Sequence, residues 1–66
     1  MTVKKPTPPN PAQIKAERES AGLTQTQAGA LIYKELRAWQ RYEAGDRVMD
    51  YALWELFKIK LLLLNN

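Results

Sequence analysis

The side chains best equipped for chemistry lie together in the run LRAWQRYEAG, residues 36 to 45. Arg37, Gln40 and Arg41 offer several hydrogen-bond donors each, and Trp39 and Tyr42 are large rings with one polar atom apiece. Wound as a helix at about 100° per residue, the run puts Leu36, Arg37, Gln40 and Arg41 on one arc and Ala38, Trp39 and Tyr42 on the other. The rings are therefore expected in a core, with the cations and the amide presented outward. Many surface helices divide their residues in this way, so amphipathicity alone names no partner.

Other chemistry has little to work with. The 66 residues include no histidine and no cysteine, which removes the commonest general base and both thiolate and imidazole metal ligands. Ser20 is the only serine, and no histidine is present to activate it. An enzyme is not expected, and neither is a metal, a cofactor or a small-molecule ligand.

Ten Lys and Arg against seven Asp and Glu give a net charge of +3 and a pI near 9.5. Residues 1–10 supply two of the three excess charges through Lys4 and Lys5, and residues 21–47 supply the third. So mild an excess, mostly in a tail, serves solubility as well as it serves attraction to an anion. The start MTVKK has no apolar segment behind it and the longest apolar run is 61–64, so neither a secretory signal nor a membrane span is expected. The cytoplasm is the expected compartment.

The elements that must position the run can be placed from their punctuation. Residues 1–10, MTVKKPTPPN, hold three prolines and no apolar period, and read as a disordered or polyproline-like arm. The domain proper is placed at 11–66. Asn10 followed by Pro11 signals a helix start, and a first helix is predicted to about Ser20, with Ile14 and Ala21 inward and Gly22 as a left-handed stop. Thr24 with Gln27 three residues on is a capping box opening a second helix over about 25–31, with Ala28, Leu31 and Ile32 on its inner face. Gly29 inside that helix implies that another helix comes very close, because glycine there costs roughly 1 kcal/mol against alanine. Gly45-Asp46 ends the third helix. Beyond it, Asp50 can start a helix over about 50–61 striped by Leu53, Leu56, Phe57 and Leu61. FKIKL, residues 57–61, alternates as a strand would, but its composition favours the helix.

Three short helices, the second and third joined by Ile32-Tyr33-Lys34, have the plan of a helix-turn-helix. The run LTQTQAGALIYKELRAWQRYEAG, residues 23 to 45, resembles the DNA-binding core of the phage Cro and repressor (XRE-type) family. That family opens its second helix with Leu-Thr-Gln, as Leu23-Thr24-Gln25 do, and closes its third with aromatic-Glu-x-Gly, as Tyr42-Glu43-Ala44-Gly45 do. The likeness covers Pro11 to Gly45. It implies a close crossing of the second and third helices at Gly29 and a structural ion pair between Arg18 and Glu43. It also implies base reading in the major groove by Arg37, Gln40 and Arg41, with Leu36 limited to a thymine methyl. Phosphate contacts are implied for Gln25, Lys34 and Arg47. Tyr33 departs from the glycine that the family often has in this turn, and a left-handed tyrosine would cost roughly 1–2 kcal/mol.

The fold class expected is therefore an all-α, four-helix domain containing a helix-turn-helix, with an α+β form ending in a β-hairpin as the alternative. The resemblance implies a transcriptional repressor acting as a homodimer on an inverted-repeat operator in double-stranded DNA. Trp54, Phe57, Ile59 and Leu61 are the residues expected at the dimer interface, being more apolar surface than so small a core requires. The alternative function is a protein-binding module, an antitoxin or adaptor working through the leucine-rich C-terminal stretch. An RNA platform is disfavoured for want of aromatics exposed on a sheet.

Overall fold

The computed structural model describes residues 7–64, and over these the chain is all-α with no strand. Four helices follow one another: α1, Pro11–Ser20; α2, Gln25–Leu31; α3, Leu36–Ala44; and α4, Tyr51–Leu64. The start of the arm, with Lys4 and Lys5, lies outside the described residues. Pro9 is buried, so the folded part begins ahead of Asn10 and not at Pro11.

Local chemistry accounts for the boundaries. The Asn10 side chain accepts from the Gln13 backbone N–H at 2.8 Å, and Gln13 Oε1 accepts from the Asn10 N–H at 2.9 Å. Thr24 and Gln27 form the same reciprocal pair at 3.1 and 2.9 Å. Each pair satisfies backbone donors that a helix start leaves free. Gly22 (φ 72°) and Gly45 (φ 84°) turn the chain left-handed after α1 and α3. Because the chain turns at Gly22, Ala21 lies past the last helical turn and is exposed, not inward as expected.

The core comprises Ile14, Ala28, Ile32, Trp39, Tyr42, Met49, Trp54, Phe57 and Leu61. Trp39 is its centre: its ring lies 4.9 Å from that of Phe57 and meets Tyr42 edge-on at 6.4 Å. Trp54 stacks on Phe57 at 6.0 Å. These separations suit attraction between ring quadrupoles in addition to apolar burial. Met49, in the link before α4, is fully buried, a position that no periodic pattern announces.

FKIKL is helix, which removes the β-hairpin alternative. Phe57 and Leu61, four apart, share the buried face, while Ile59 points away from it. The intervening lysines lie along rings: Lys58 Nζ is 5.7 Å from the Trp54 ring, and Lys60 Nζ is 4.1 Å from that of Tyr33. The alternation thus comes from lysines on the flanks of a helix whose ammonium groups lie over aromatic rings. The helix also runs three residues beyond the expected end, to Leu64.

Gly29 has a different reason from the one expected. A Cβ there would meet the Lys34 carbonyl oxygen at 2.8 Å and the Glu35 carbonyl oxygen, at the N-cap of α3, at 3.5 Å, so the close neighbour is the backbone that leads into α3 and not the body of that helix. The same turn is tied back by the Lys34 N–H, which donates to the Gly29 carbonyl at 2.9 Å. Tyr33 takes up the left-handed bend at φ 61°. Its hydroxyl accepts from Lys60 Nζ at 2.8 Å, a bond that lowers the hydroxyl's pKa from its usual value.

Gly29→Ala sets a helix-propensity gain of about 1 kcal/mol against roughly 1–3 kcal/mol for forcing a methyl onto backbone. A net loss near 1 kcal/mol is expected, read as a melting temperature lower by roughly 4–8 °C. A higher melting temperature for the variant would mean that the turn does not press on α2.

Candidate nucleic-acid interface

The outward arc of α3 is oriented from the inside. Trp39 and Tyr42 enter the core one after the other, and Glu43 follows with only 7% of its side chain exposed. A carboxylate so placed must be met by donors or be neutralised. Arg18 of α1 supplies two, Nε to Oε2 at 2.5 Å and Nη2 to Oε1 at 3.1 Å. Trp39 Nε1 donates to Oε2, and Gln25 Nε2 of α2 donates to Oε1 at 3.2 Å. The remaining guanidinium nitrogen of Arg18, Nη1, donates to the Leu23 carbonyl at 3.0 Å. One carboxylate therefore gathers α1, α2 and α3. Among the described residues no buried side-chain nitrogen or oxygen lacks a partner.

The electrostatics follow the geometry. Burial pushes the Glu43 carboxyl up, but the hydrogen bonds from Arg18, Trp39 and Gln25 outweigh it and leave the group below the usual carboxylate range. The bond to Glu43 raises the Arg18 guanidinium above its ordinary value, against a smaller lowering by burial. The ion pair expected between Arg18 and Glu43 is thus present, as a two-pronged contact.

Arg37, Gln40 and Arg41 are all exposed, and Leu36 beside them is 40% exposed. Arg47 is exposed just past the end of α3, and Lys34 is half-buried just before its start. None of these four cations forms an ion pair among the described residues. Their charge is not consumed among the described residues, and Arg37, Gln40 and Arg41 stand exposed together on α3, a helix of the size that a major groove admits.

Gln25 departs from its expected part. Its amide nitrogen is engaged by Glu43 and its oxygen accepts from Gln40 Nε2 at 3.5 Å, so the side chain is committed within the fold and is not a free phosphate contact. It joins the buried carboxylate to an exposed member of the arc. The signal for this link was the spacing of polar residues across two helices, which no reading of one helix at a time detects.

The interface expected at Trp54, Phe57, Ile59 and Leu61 is redistributed. Trp54, Phe57 and Leu61 are at most 9% exposed and belong to the core of a single chain. They cannot also form a surface between two chains. Ile59 remains exposed, joined by Leu62, Leu63 and Leu64. Among the described residues no helix is long and apolar enough to cross a membrane.

No protein-family model matches this chain, and no curated protein matches its sequence.

The low Glu43 pKa makes a pH-dependent contribution to stability. It is fully present above the ordinary carboxylate value of about 4.3 and is lost as pH falls through the lower folded value. Glu43→Gln strands the Arg18 charge and is expected to cost on the order of 3 kcal/mol near neutrality. The gap between variant and wild type should narrow as pH falls from about 7 to about 3. Urea titrations followed by tryptophan fluorescence measure it, and a gap independent of pH would show that the ionised pair is not what Glu43 contributes.

Proposed function

We propose that this chain reads sequence in double-stranded DNA with the outward arc of α3, as a transcriptional repressor of the Cro and XRE type. The observation that carries the reading is the arc itself, whose cations form no ion pair among the described residues. Arg37, Gln40 and Arg41 are exposed together on a helix whose opposite side is held by Trp39, Tyr42 and Glu43. Arginine pairs bidentately with guanine and glutamine with adenine, so these are side chains suited to base edges in the major groove. Leu36 suits a thymine methyl. Lys34 and Arg47, at the two ends of α3, are assigned to phosphates, which fix register without reading sequence.

The resemblance of residues 23 to 45 to that family supports the same reading, as does the α2–turn–α3 arrangement, which we take as a helix-turn-helix. A homodimer on an inverted repeat with half-sites one helical turn apart follows from it, acting in the cytoplasm by excluding polymerase, with no chemistry catalysed. Gln25 takes the part of holding Gln40 in place.

A second reading is favoured by the leucines exposed at the end of α4: a protein-binding module whose partner docks there. Salt separates the two. Affinity for DNA should fall steeply as ionic strength rises, because each neutralised phosphate releases counterions, whereas apolar docking should barely respond.

Selection of bound duplexes from a random pool at near-physiological salt tests the proposal, with a two-fold motif as the expected result. Arg37→Ala should then cost about 1–3 kcal/mol on the selected site and relax preference at one base pair. Lys34→Ala and Arg47→Ala should weaken all duplexes alike and flatten the salt dependence. No enrichment above the starting pool would leave α3 as a scaffold helix only.

A further inference from the structure

α4 carries only three charged residues, Glu55, Lys58 and Lys60, among its 14. A helix so apolar around its circumference is ordinarily covered on all sides, yet here the described residues cover one side. The buried line is Trp54, Phe57 and Leu61. On the far side Ala52, Leu56, Ile59 and Leu63 follow one another at intervals of four, three and four residues, which is the spacing of a coiled-coil seam. Ala52 is exposed, Leu56 half-buried, Ile59 48% exposed and Leu63 65% exposed. Leu62 flanks them at 68%.

We propose that this second line is the contact between two copies of the chain, with the α4 helices side by side and parallel about a two-fold axis. Charge complementarity identifies the occupant. In a parallel pair the residue just before one seam position faces the residue five places on in the other helix. For this seam Glu55 meets Lys60 of the second copy, and symmetry forms the pair twice. In the antiparallel arrangement Glu55 would meet Leu62, and Lys60 would meet Leu53, opposing charge to leucine. Lys60 already donates one hydrogen to Tyr33, and an ammonium group has three, so both contacts are compatible. The interface lies on the less buried half of α4: Leu56 is half-buried and also packs against the monomer's core, while Ala52, Ile59 and Leu63 are exposed.

The proposal deepens the two-fold reading above, with its partner identified by the charge pairing, and uses none of the side chains assigned to DNA. Sedimentation of the full chain without DNA, at concentrations up to about 1 mM, tests it. The expected mass is twice 7.6 kDa. Ile59→Glu and Leu63→Glu should each return it to the single-chain mass with helical circular dichroism intact, because neither side chain is buried in the monomer. Should Ile59→Glu unfold, Leu63→Glu, near the helix end, reads the same seam. The chain has no cysteine, so Ile59→Cys places one thiol opposite its own copy, and oxidation should convert the dimer to a covalent pair.

Three results overturn the proposal: a wild type monomeric throughout, a dimer that survives both glutamate variants, or an Ile59→Cys dimer whose thiols stay unjoined on oxidation. A monomer that associates with phosphatidylcholine vesicles would assign the face to lipid and overturn it too. A dimer that enriches no DNA leaves the α4 seam standing and removes the DNA reading, and a monomer that enriches DNA does the reverse.

Discussion

Everything else in this fold depends on a carboxylate that water hardly reaches. Glu43 lies where α1, α2 and α3 meet, and its two oxygens take four donors, from Arg18, Trp39 and Gln25. Such a group is costly unless every lone pair is answered, so it acts less as a source of net stability than as a test of geometry. The indole comes from α3 itself, but the guanidinium and the amide reach it only when α1 and α2 are both correctly placed. A domain of 66 residues, whose core rarely contributes more than roughly 3–5 kcal/mol, has few other ways to exclude near-alternatives. The aromatic cluster supplies the attraction, and the carboxylate selects among the ways of satisfying it.

Much of this arrangement was legible in the residue order because it depends on neighbours in the chain. The caps at Asn10 and Thr24, the stops at Gly22 and Gly45, and the inward rings of α3 all follow from rules that operate within one turn of helix. The features that escaped depend on what arrives from elsewhere. Gly29 looked like the meeting place of two helices and proved to be the seat of a turn carbonyl. Gln25 looked like a free amide and proved to be a bridge between Glu43 and Gln40. FKIKL alternates because its lysines place their ammonium groups over the rings of Trp54 and Tyr33, and a period read from hydrophobicity alone does not distinguish that from a strand. The Arg18–Glu43 pair follows from the resemblance and not from any periodicity, since twenty-five residues separate its members.

The candidate site was legible to a different degree. That Arg37, Gln40 and Arg41 point away from the core follows from angle alone, and the structure places them there. The apolar residues of α4 exceed what one small core needs, but their order in the sequence does not show how they divide. Trp54, Phe57 and Leu61 went to the core, and the surplus lies on the opposite side of the same helix. The division depends on which face of α4 meets α2, and a helix apolar nearly all round contains no internal statement of that.

The separation between what holds α3 and what α3 displays has an evolutionary side. Arg37 and Arg41 make no ion pair among the described residues, and Gln40 is linked inward only through a 3.5 Å contact to Gln25. The frame behind them is set by Glu43, by the rings and by a backbone contact at Gly29, none of which uses those displayed side chains. The arc can therefore be rewritten one residue at a time while the scaffold stays as it is. A lineage or a designer could change what this helix addresses without first having to rescue its fold.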